Sequence, residues 1–153
     1  MSEGLKIIAV NRKARFNYEL LETLEAGMVL VGTEVKSLRE GKVNIKDAYA
    51  EIVGGELWLV GLHISPYEQG TTGAHEPERR RKLLVNGREL RRLATKVQEK
   101  GLTLVPTRLY FKAGWAKVEL ALGRGKRQYD KRQTIAKRDA DRAVARARRG
   151  DRE

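Results

Sequence analysis

The chain contains no cysteine, and this absence removes several kinds of chemistry at once. Disulfide bridges, thiolate nucleophiles, iron–sulfur clusters and cysteine-built zinc sites are all excluded, and a reducing, cytoplasmic compartment is expected. Long apolar runs are also missing: residues 7–10 are too short for the apolar segment of a signal peptide. The uncharged runs 27–32 and 57–62 have six residues each, against roughly 20 for a membrane span, so no membrane partner is expected.

Side chains that could carry catalysis are scarce. The sequence holds two histidines, His63 and His75, and three serines. His63 lies in an apolar run that is more typical of a hydrogen-bonded structural histidine than of a general base, and His75 has no partner at a recognisable spacing. Neither an H-x-x-x-H pattern nor a paired His/Asp spacing occurs. The sequence therefore predicts no metal site, no cofactor and no enzymatic activity.

Positive charge is what the chain has in excess. Its 32 Lys and Arg outnumber its 20 Asp and Glu, for a net charge of +12, which predicts an anionic partner. The last 30 residues carry +7 of this charge. We therefore divide the chain into a folded domain, residues 1–123, and a basic tail, residues 124–153. The apolar groups of the tail are mostly alanine methyls, too few to offset an ordering cost of about 1–2 kcal/mol per residue, so the tail is predicted to be disordered alone.

Two β-hairpins are predicted in the folded domain. Gly54 and Gly55 form a two-residue loop in the first, and Ala113 and Gly114 form the turn of the second. The paired strands are residues 48–53 with 56–62, and residues 103–112 with 115–122.

One amphipathic helix is predicted between the hairpins. Asn86 begins it, Glu89 is placed to complete a capping box, and Gly101 ends it. Nearer the start, a basic turn leads into a strand, a second strand is predicted over 28–31 and a short helical turn over 33–40. The pattern predicts a mainly β fold, an OB-fold-type closed antiparallel barrel with an inserted α-helix and short helical turns, plus a basic C-terminal tail. A β-sandwich with one packed helix is the alternative.

The outer face of the second hairpin interleaves cations with aromatic residues. The residues on this face are Arg108, Tyr110, Lys112, Trp115 and Lys117. Cations among aromatic rings are typical of surfaces on which RNA bases stack. The alternative is that the aromatic side chains only cover a seam of the barrel.

Six segments, in order along the chain, resemble the motifs of one family. They are NRKARF (11–16), LEAG (24–27), GTEVKSLREG (32–41), HISPY (63–67), RKLL (81–84) and GKRQYDKR (125–132). Together they resemble the SsrA-binding, or small protein B, family. The resemblance implies an OB-fold protein that binds the tRNA-like domain of transfer-messenger RNA and helps elongation factor Tu to deliver it to stalled ribosomes. It implies an RNA-binding protein and not an enzyme, and we expect a monomer.

The resemblance also implies which residues hold the RNA. The candidates for the tRNA-like domain are Asn11, Arg12, Lys13, Arg15, Glu25, Lys36, Leu84 and Lys117. Lysine and arginine suit phosphate, whereas Glu25 is repelled by phosphate and suits a base or a nearby cation. Leu84 would contact a base or a sugar through its apolar surface.

The tail resembles a segment that enters the empty decoding centre of the small ribosomal subunit and the mRNA channel, where it becomes helical. The matching residues are Tyr129, Asp130, Lys131, Arg132 and Arg138. Ala136 departs from the family, since the position is often basic, so any contact assigned to it is in doubt. The alternative to the rescue factor is a generic OB-fold RNA-binding module, such as a ribosomal or initiation-type factor.

Overall fold

The computed structural model describes residues 5–66 and 75–125, together with Arg138 and Arg142. The strands of this part of the chain are β1 (Lys6–Val10), β2 (Tyr18–Met28), β3 (Val43–Asn44), β4 (Tyr49–Val53), β5 (Glu56–Val60), β6 (His63–Ile64), β7 (Arg81–Leu84), β8 (Thr103–Lys112) and β9 (Trp115–Gly125). The helices are α1 (Ala14–Asn17), α2 (Gly32–Arg39) and α3 (Gly87–Lys100). None of these three helices is long and apolar enough to span a bilayer.

Six of the described strands close into a ring. Hydrogen-bonded neighbours follow the order β8, β4, β5, β7, β2, β9, and β9 pairs again with β8. β1 pairs with β8 outside the ring, while β3 and β6 form a separate two-stranded sheet. All these pairings are antiparallel. The predicted mainly β architecture with an inserted helix is confirmed, and closure of the ring decides against two stacked open sheets.

Both predicted hairpins form, with the turns expected from the sequence. Gly54 and Gly55 join β4 to β5 with φ values of +58° and +76°. Ala113 and Gly114 join β8 to β9 with φ values of +51° and +83°. Positive φ at both central residues gives the turn the twist that two antiparallel strands need. Ala113 accepts this conformation although it has a Cβ, so long strand pairing on both sides holds the turn.

The helix α3 forms between its predicted ends, but the predicted capping box is wrong. The side chain of Asn86 accepts a hydrogen bond from the backbone N–H of Arg88 at 2.9 Å, and Gly101 ends the helix with φ +62°. The Glu89 carboxylate forms an ion pair with Arg92 one turn later. A guanidinium offers a charged donor, which a carboxylate prefers to a neutral backbone N–H. Leu93 is completely buried, so the apolar stripe of α3 faces the core.

The strand predicted over residues 28–31 is also wrong. β2 ends at Met28, and Val31 instead precedes the first residue of α2. The Glu34 side chain accepts a hydrogen bond from the Val31 backbone N–H at 2.9 Å, which satisfies one of the free donors at the start of α2. The apolar residues of this segment therefore lead into a helix.

The core fills the ring and continues under the helices. Residues that alternate along the strands, such as Leu57 and Leu59 on β5 or Val118 and Leu120 on β9, are at most 1% exposed. Because side chains alternate along a strand, the residues between them point to the outside of the ring. This outer face carries the candidate site.

Candidate nucleic-acid interface

A row of directly paired residues crosses four strands on the outer face of the ring. Leu84 on β7 lies opposite Gly27 on β2, Gly27 lies opposite Lys117 on β9, and Lys117 lies opposite Tyr110 on β8. Paired residues of an antiparallel sheet project to the same face, so Leu84 and Lys117 stand on either side of Gly27. We call Glu25, Gly27, Leu84 and Lys117 the cross-strand patch.

Because Gly27 has no side chain, the surface at the centre of the cross-strand patch is recessed. A Cβ placed at Gly27 would lie 3.6 Å from the Leu84 Cβ and 3.7 Å from the Lys117 Nζ. Leu84 is 54% exposed, although its neighbour Leu83 is only 3% exposed. The patch is therefore a shallow depression with an apolar wall on one side and an ammonium group on the other.

The Glu25 carboxylate is the hydrogen-bond acceptor of the patch, and the Tyr110 hydroxyl fixes its position. The Tyr110 hydroxyl donates a hydrogen bond to Glu25 Oε2 at 2.5 Å, and Lys112 Nζ lies 3.5 Å from the same oxygen. The hydrogen bond from Tyr110, aided by the charges of Lys112 and Lys117, lowers the pKa of Glu25 although desolvation opposes this shift. Glu25 is therefore a charged acceptor in cationic surroundings, suited to an N–H donor such as the edge of a base.

Tyr110 differs from its expected role as a stacking surface. It is 3% exposed, and the guanidinium of Arg108 lies over its ring, 5.1 Å from the centroid. Burial, together with the hydrogen bond to Glu25, raises the pKa of Tyr110. Tyr110 thus orients the Glu25 carboxylate through this hydrogen bond. Trp115, the other aromatic residue of this face, is 72% exposed.

A groove continues the cross-strand patch towards the start of the chain. Its lining includes Arg12, in the turn between β1 and α1, and Arg15 on α1, together with Arg108 and Glu119. Glu119 lies opposite Glu25, and its carboxylate is 3.0 Å from Arg108 Nε. Two of the predicted RNA-binding arginines are therefore next to the patch. We call this feature the arginine groove.

Asn11 borders the arginine groove but is engaged in the fold. It is 9% exposed, its side-chain amide donates to the Pro106 carbonyl at 2.9 Å, and its backbone N–H donates to the Thr107 carbonyl at 2.7 Å. At this point β8 changes its partner from β4 to β1. Lys13 is exposed nearby and lines further grooves together with Lys46.

Lys36 lies exposed on α2, a different element from the patch. α2 is anchored by Glu34, which is completely buried together with Arg81. Arg81 Nε donates to Glu34 Oε2 at 2.7 Å, and Arg79 donates to Glu34 Oε1 at 2.6 Å. Burial opposes ionisation of Glu34, but the hydrogen bonds from Arg79, Val31 and Arg81 outweigh it and lower its pKa. Arg81 also starts β7, so this network positions the strand that presents Leu84.

His75 belongs to the same anchoring region, through partners that no spacing in the sequence indicates. It is 8% exposed, with Nδ1 2.9 Å from Thr33 Oγ1 and Nε2 2.8 Å from the Ile64 carbonyl. Both ring nitrogens therefore serve the packing of α2 against β6. Within the described ranges 5–66 and 75–125, no group of His, Asp and Glu is arranged to hold a metal ion.

In the tail, Arg124 and Gly125 are described as the end of β9, and beyond them only Arg138 and Arg142 are described. Tyr129, Asp130, Lys131 and Arg132 lie outside the described residues. Arg138 is helical, and its guanidinium lies over the Phe16 ring, 5.5 Å from the centroid. The ribosomal roles of these five residues stay predictions.

Sequence reasoning missed three contributors to the site. Gly27, which opens the patch, lies two residues after Glu25 on the same face of β2, a spacing that could have revealed it. The support of Glu25 by Tyr110 and the burial of Arg81 depend on contacts between distant segments. No local pattern signals such contacts.

Comparison with known proteins identifies the family. The model of the family described as SmpB protein matches residues 8–150. The SsrA-binding protein of Desulforudis audaxviator is 61% identical over 148 residues, which cover 97% of each chain. The SsrA-binding protein of Trichodesmium erythraeum is 58% identical over 146 residues, 95% of this chain and 94% of the other.

The fold comparison with solved structures points to the same family. A chain described under "tmRNA-SmpB: a journey to the center of the bacterial ribosome" is 52% identical, with a TM-score of 0.66, over 83% of this chain and 93% of that one. The similarity extends from β1 into the tail and includes both the cross-strand patch and the arginine groove. The chain therefore belongs to the SmpB family, whose curated relatives are SsrA-binding proteins.

Proposed function

We propose that the chain binds the tRNA-like domain of transfer-messenger RNA, also called SsrA RNA, and helps to deliver it to stalled ribosomes for rescue by trans-translation. The observation that carries this proposal is the cross-strand patch, in which exposed Leu84 and the ammonium of Lys117 stand on either side of Gly27, with ionised Glu25 two residues away on β2. The names of the SsrA-binding relatives support the choice of RNA. As a member of this family, the chain is an RNA-binding protein and not an enzyme.

Each group of the interface suits a different part of an RNA. Lys117 and the arginine groove, with Arg12 and Arg15, attract phosphates, which position the RNA without reading its sequence. Glu25 accepts from the N–H edge of a base, a contact that requires an unpaired or accessible base. Leu84 packs against the apolar face of a base or a sugar. Lys13, Lys36 and Asn11 belong to the same proposed set, Asn11 by shaping the start of the arginine groove.

The tail has a separate role in this proposal. The part of the tail that follows β9 enters the empty decoding centre and the mRNA channel, where phosphates neutralise the cations and allow a helix to form. Tyr129 stacks on a base there, and Asp130, Lys131, Arg132 and Arg138 contact the channel. The relative described with the centre of the bacterial ribosome supports a ribosomal site of action. Elongation factor Tu accompanies delivery, and the protein acts as a monomer in the cytoplasm.

The test compares two single variants, one that removes a positive charge from the patch and one that removes a positive charge from a different surface. Lys117→Ala should weaken binding to the tRNA-like domain and reduce the slope of log affinity against log salt by about 0.7–0.9, one phosphate contact. Arg91→Ala, which removes an exposed cation of α3, is the matched control and should leave the affinity and the salt slope nearly unchanged. Affinity is measured by filter binding over a salt series, with bulk tRNA as competitor.

Equal affinities for the two variants would remove Lys117 from the site. Equal retention of the tRNA-like domain and of bulk tRNA at physiological salt would argue for a generic RNA-binding module.

A further inference from the structure

Trp115 has the most exposed large apolar side chain in the part of the chain that the structure describes. Its exposed fraction is 72%, against 54% for Leu84. Tryptophan carries one of the largest apolar surfaces of any residue and is usually covered when no partner is involved. An indole left in water by a folded domain therefore marks a candidate contact surface.

Trp115 is held in place next to the cross-strand patch. It is the first residue of β9, pairs with Lys112 across the tight turn, and lies two residues before Lys117. Because side chains alternate along a strand, Trp115 and Lys117 project to the same face. Phe111, the neighbour of Lys112, is 7% exposed and anchors the end of the hairpin in the core. The fold therefore presents the indole on a fixed strand.

We propose that the Trp115 indole stacks on an unpaired base of the RNA that the cross-strand patch holds. This inference rests on the proposed function and extends its contact surface to the tip of the hairpin. An aromatic ring beside a basic groove is the usual platform for unpaired bases, since every base has a π-face. Lys112 is the cross-strand partner of Trp115, and Lys117 follows Trp115 by two residues on β9, so two cations adjoin the indole and could contact the phosphates that flank a stacked base.

The second tryptophan provides a matched control. Trp58 lies on β5, and the guanidinium of Arg80 covers its ring at 4.9 Å from the centroid. It is paired with Glu51 and Lys82 on the side of Leu84 that faces away from Trp115, and β5 stands three strands from β9 in the ring. Trp58→Phe keeps an aromatic ring under Arg80 and leaves Trp115 as the single tryptophan, because the chain contains two.

The experiment titrates full-length Trp58→Phe protein with a transcript of the tRNA-like domain and follows tryptophan fluorescence. Stacking should quench the emission of Trp115, while Trp58→Phe binds like the parent protein. Trp115→Ala should bind roughly 5- to 150-fold more weakly, the usual loss for one base–aromatic stack. Its salt slope should not change, since no phosphate contact is lost. Trp115→Phe should retain most of the affinity.

Unquenched Trp115 emission together with normal affinity of Trp115→Ala would overturn the inference. If Lys117→Ala is weakened under the same conditions, the proposed function survives and only the stacking fails; if neither variant is weakened, both fail. A Trp115→Ala protein that binds RNA normally but fails in ribosome rescue would assign the indole to a protein surface, which also overturns the stacking.

Discussion

Replacing Arg81 by methionine should destabilise the protein by about 3–5 kcal/mol, the usual cost of removing one partner from a buried ion pair. Arg81 is completely buried. Its guanidinium donates to Glu34 Oε2 at 2.7 Å, to the Leu62 carbonyl at 2.5 Å and to the Pro77 carbonyl at 3.0 Å. Methionine fills a similar length but donates nothing, so two carbonyls lose a partner and the Glu34 charge keeps only part of its compensation.

The neighbouring residue supplies the control. Arg80 is the same residue type, but its side chain is 49% exposed and pairs at 3.2 Å with Glu51, which is 38% exposed. Exposed ion pairs contribute about 0–1 kcal/mol, so Arg80→Met should cost no more than about 1 kcal/mol. Both variants lose one positive charge, and a difference between them therefore reports burial rather than net charge.

The assay is equilibrium unfolding in urea at neutral pH, followed by circular dichroism. A loss of about 3–5 kcal/mol would remove a fifth or more of the roughly 5–15 kcal/mol that stabilises a typical domain. Equal unfolding midpoints for Arg81→Met and Arg80→Met would refute the reasoning. Adding Glu34→Leu to Arg81→Met should recover part of the loss, because the uncompensated carboxylate is removed with its partner. No recovery would show that the buried charge is not the cause.

Two further predictions concern acid and the tail. The pKa of Glu34 is lowered from its ordinary value of 4.5 in the folded state, so the ionised carboxylate stabilises the fold fully above pH 4.5 and this stabilisation is lost as the pH falls through the lowered pKa. The urea midpoint of the parent protein should therefore decrease below about pH 4.5, and that of Glu34→Gln should decrease less steeply. Parallel decreases in the two proteins would contradict this prediction. Deletion of residues 131–153 should leave affinity for the tRNA-like domain nearly unchanged but abolish peptide tagging on stalled ribosomes, and tagging that survives intact would exclude the proposed role of the tail.

Elements that depend on neighbouring residues were predictable from the sequence. Gly54 and Gly55 predicted a tight turn because glycine reaches positive φ at little cost. Asn86 and Gly101 predicted the two ends of α3. Where two local preferences competed, prediction failed. Val31 has a strand propensity, but it precedes α2 because the side chain of Glu34 binds its N–H.

The basic run before β7 shows why the site was harder to predict. Arg79, Arg80, Arg81 and Lys82 are equivalent as sequence, yet one is completely buried against Glu34 and another covers Trp58 at the surface. The separation follows from strand alternation and from the position of Glu34, which lies far away in the chain. In the same way, Tyr110 and Trp115 were indistinguishable as aromatic residues of one hairpin face.

The sequence by itself determined the charge, the absence of cysteine chemistry, the two hairpins, the long helix and, through six motifs, the family. These features depend on composition or on contacts within a few residues. Only the tertiary structure decided which cations face solvent, that Tyr110 orients Glu25, and that Leu84, Gly27 and Lys117 form one row. Those relations depend on the register between strands from distant parts of the chain, which packing of the whole ring selects.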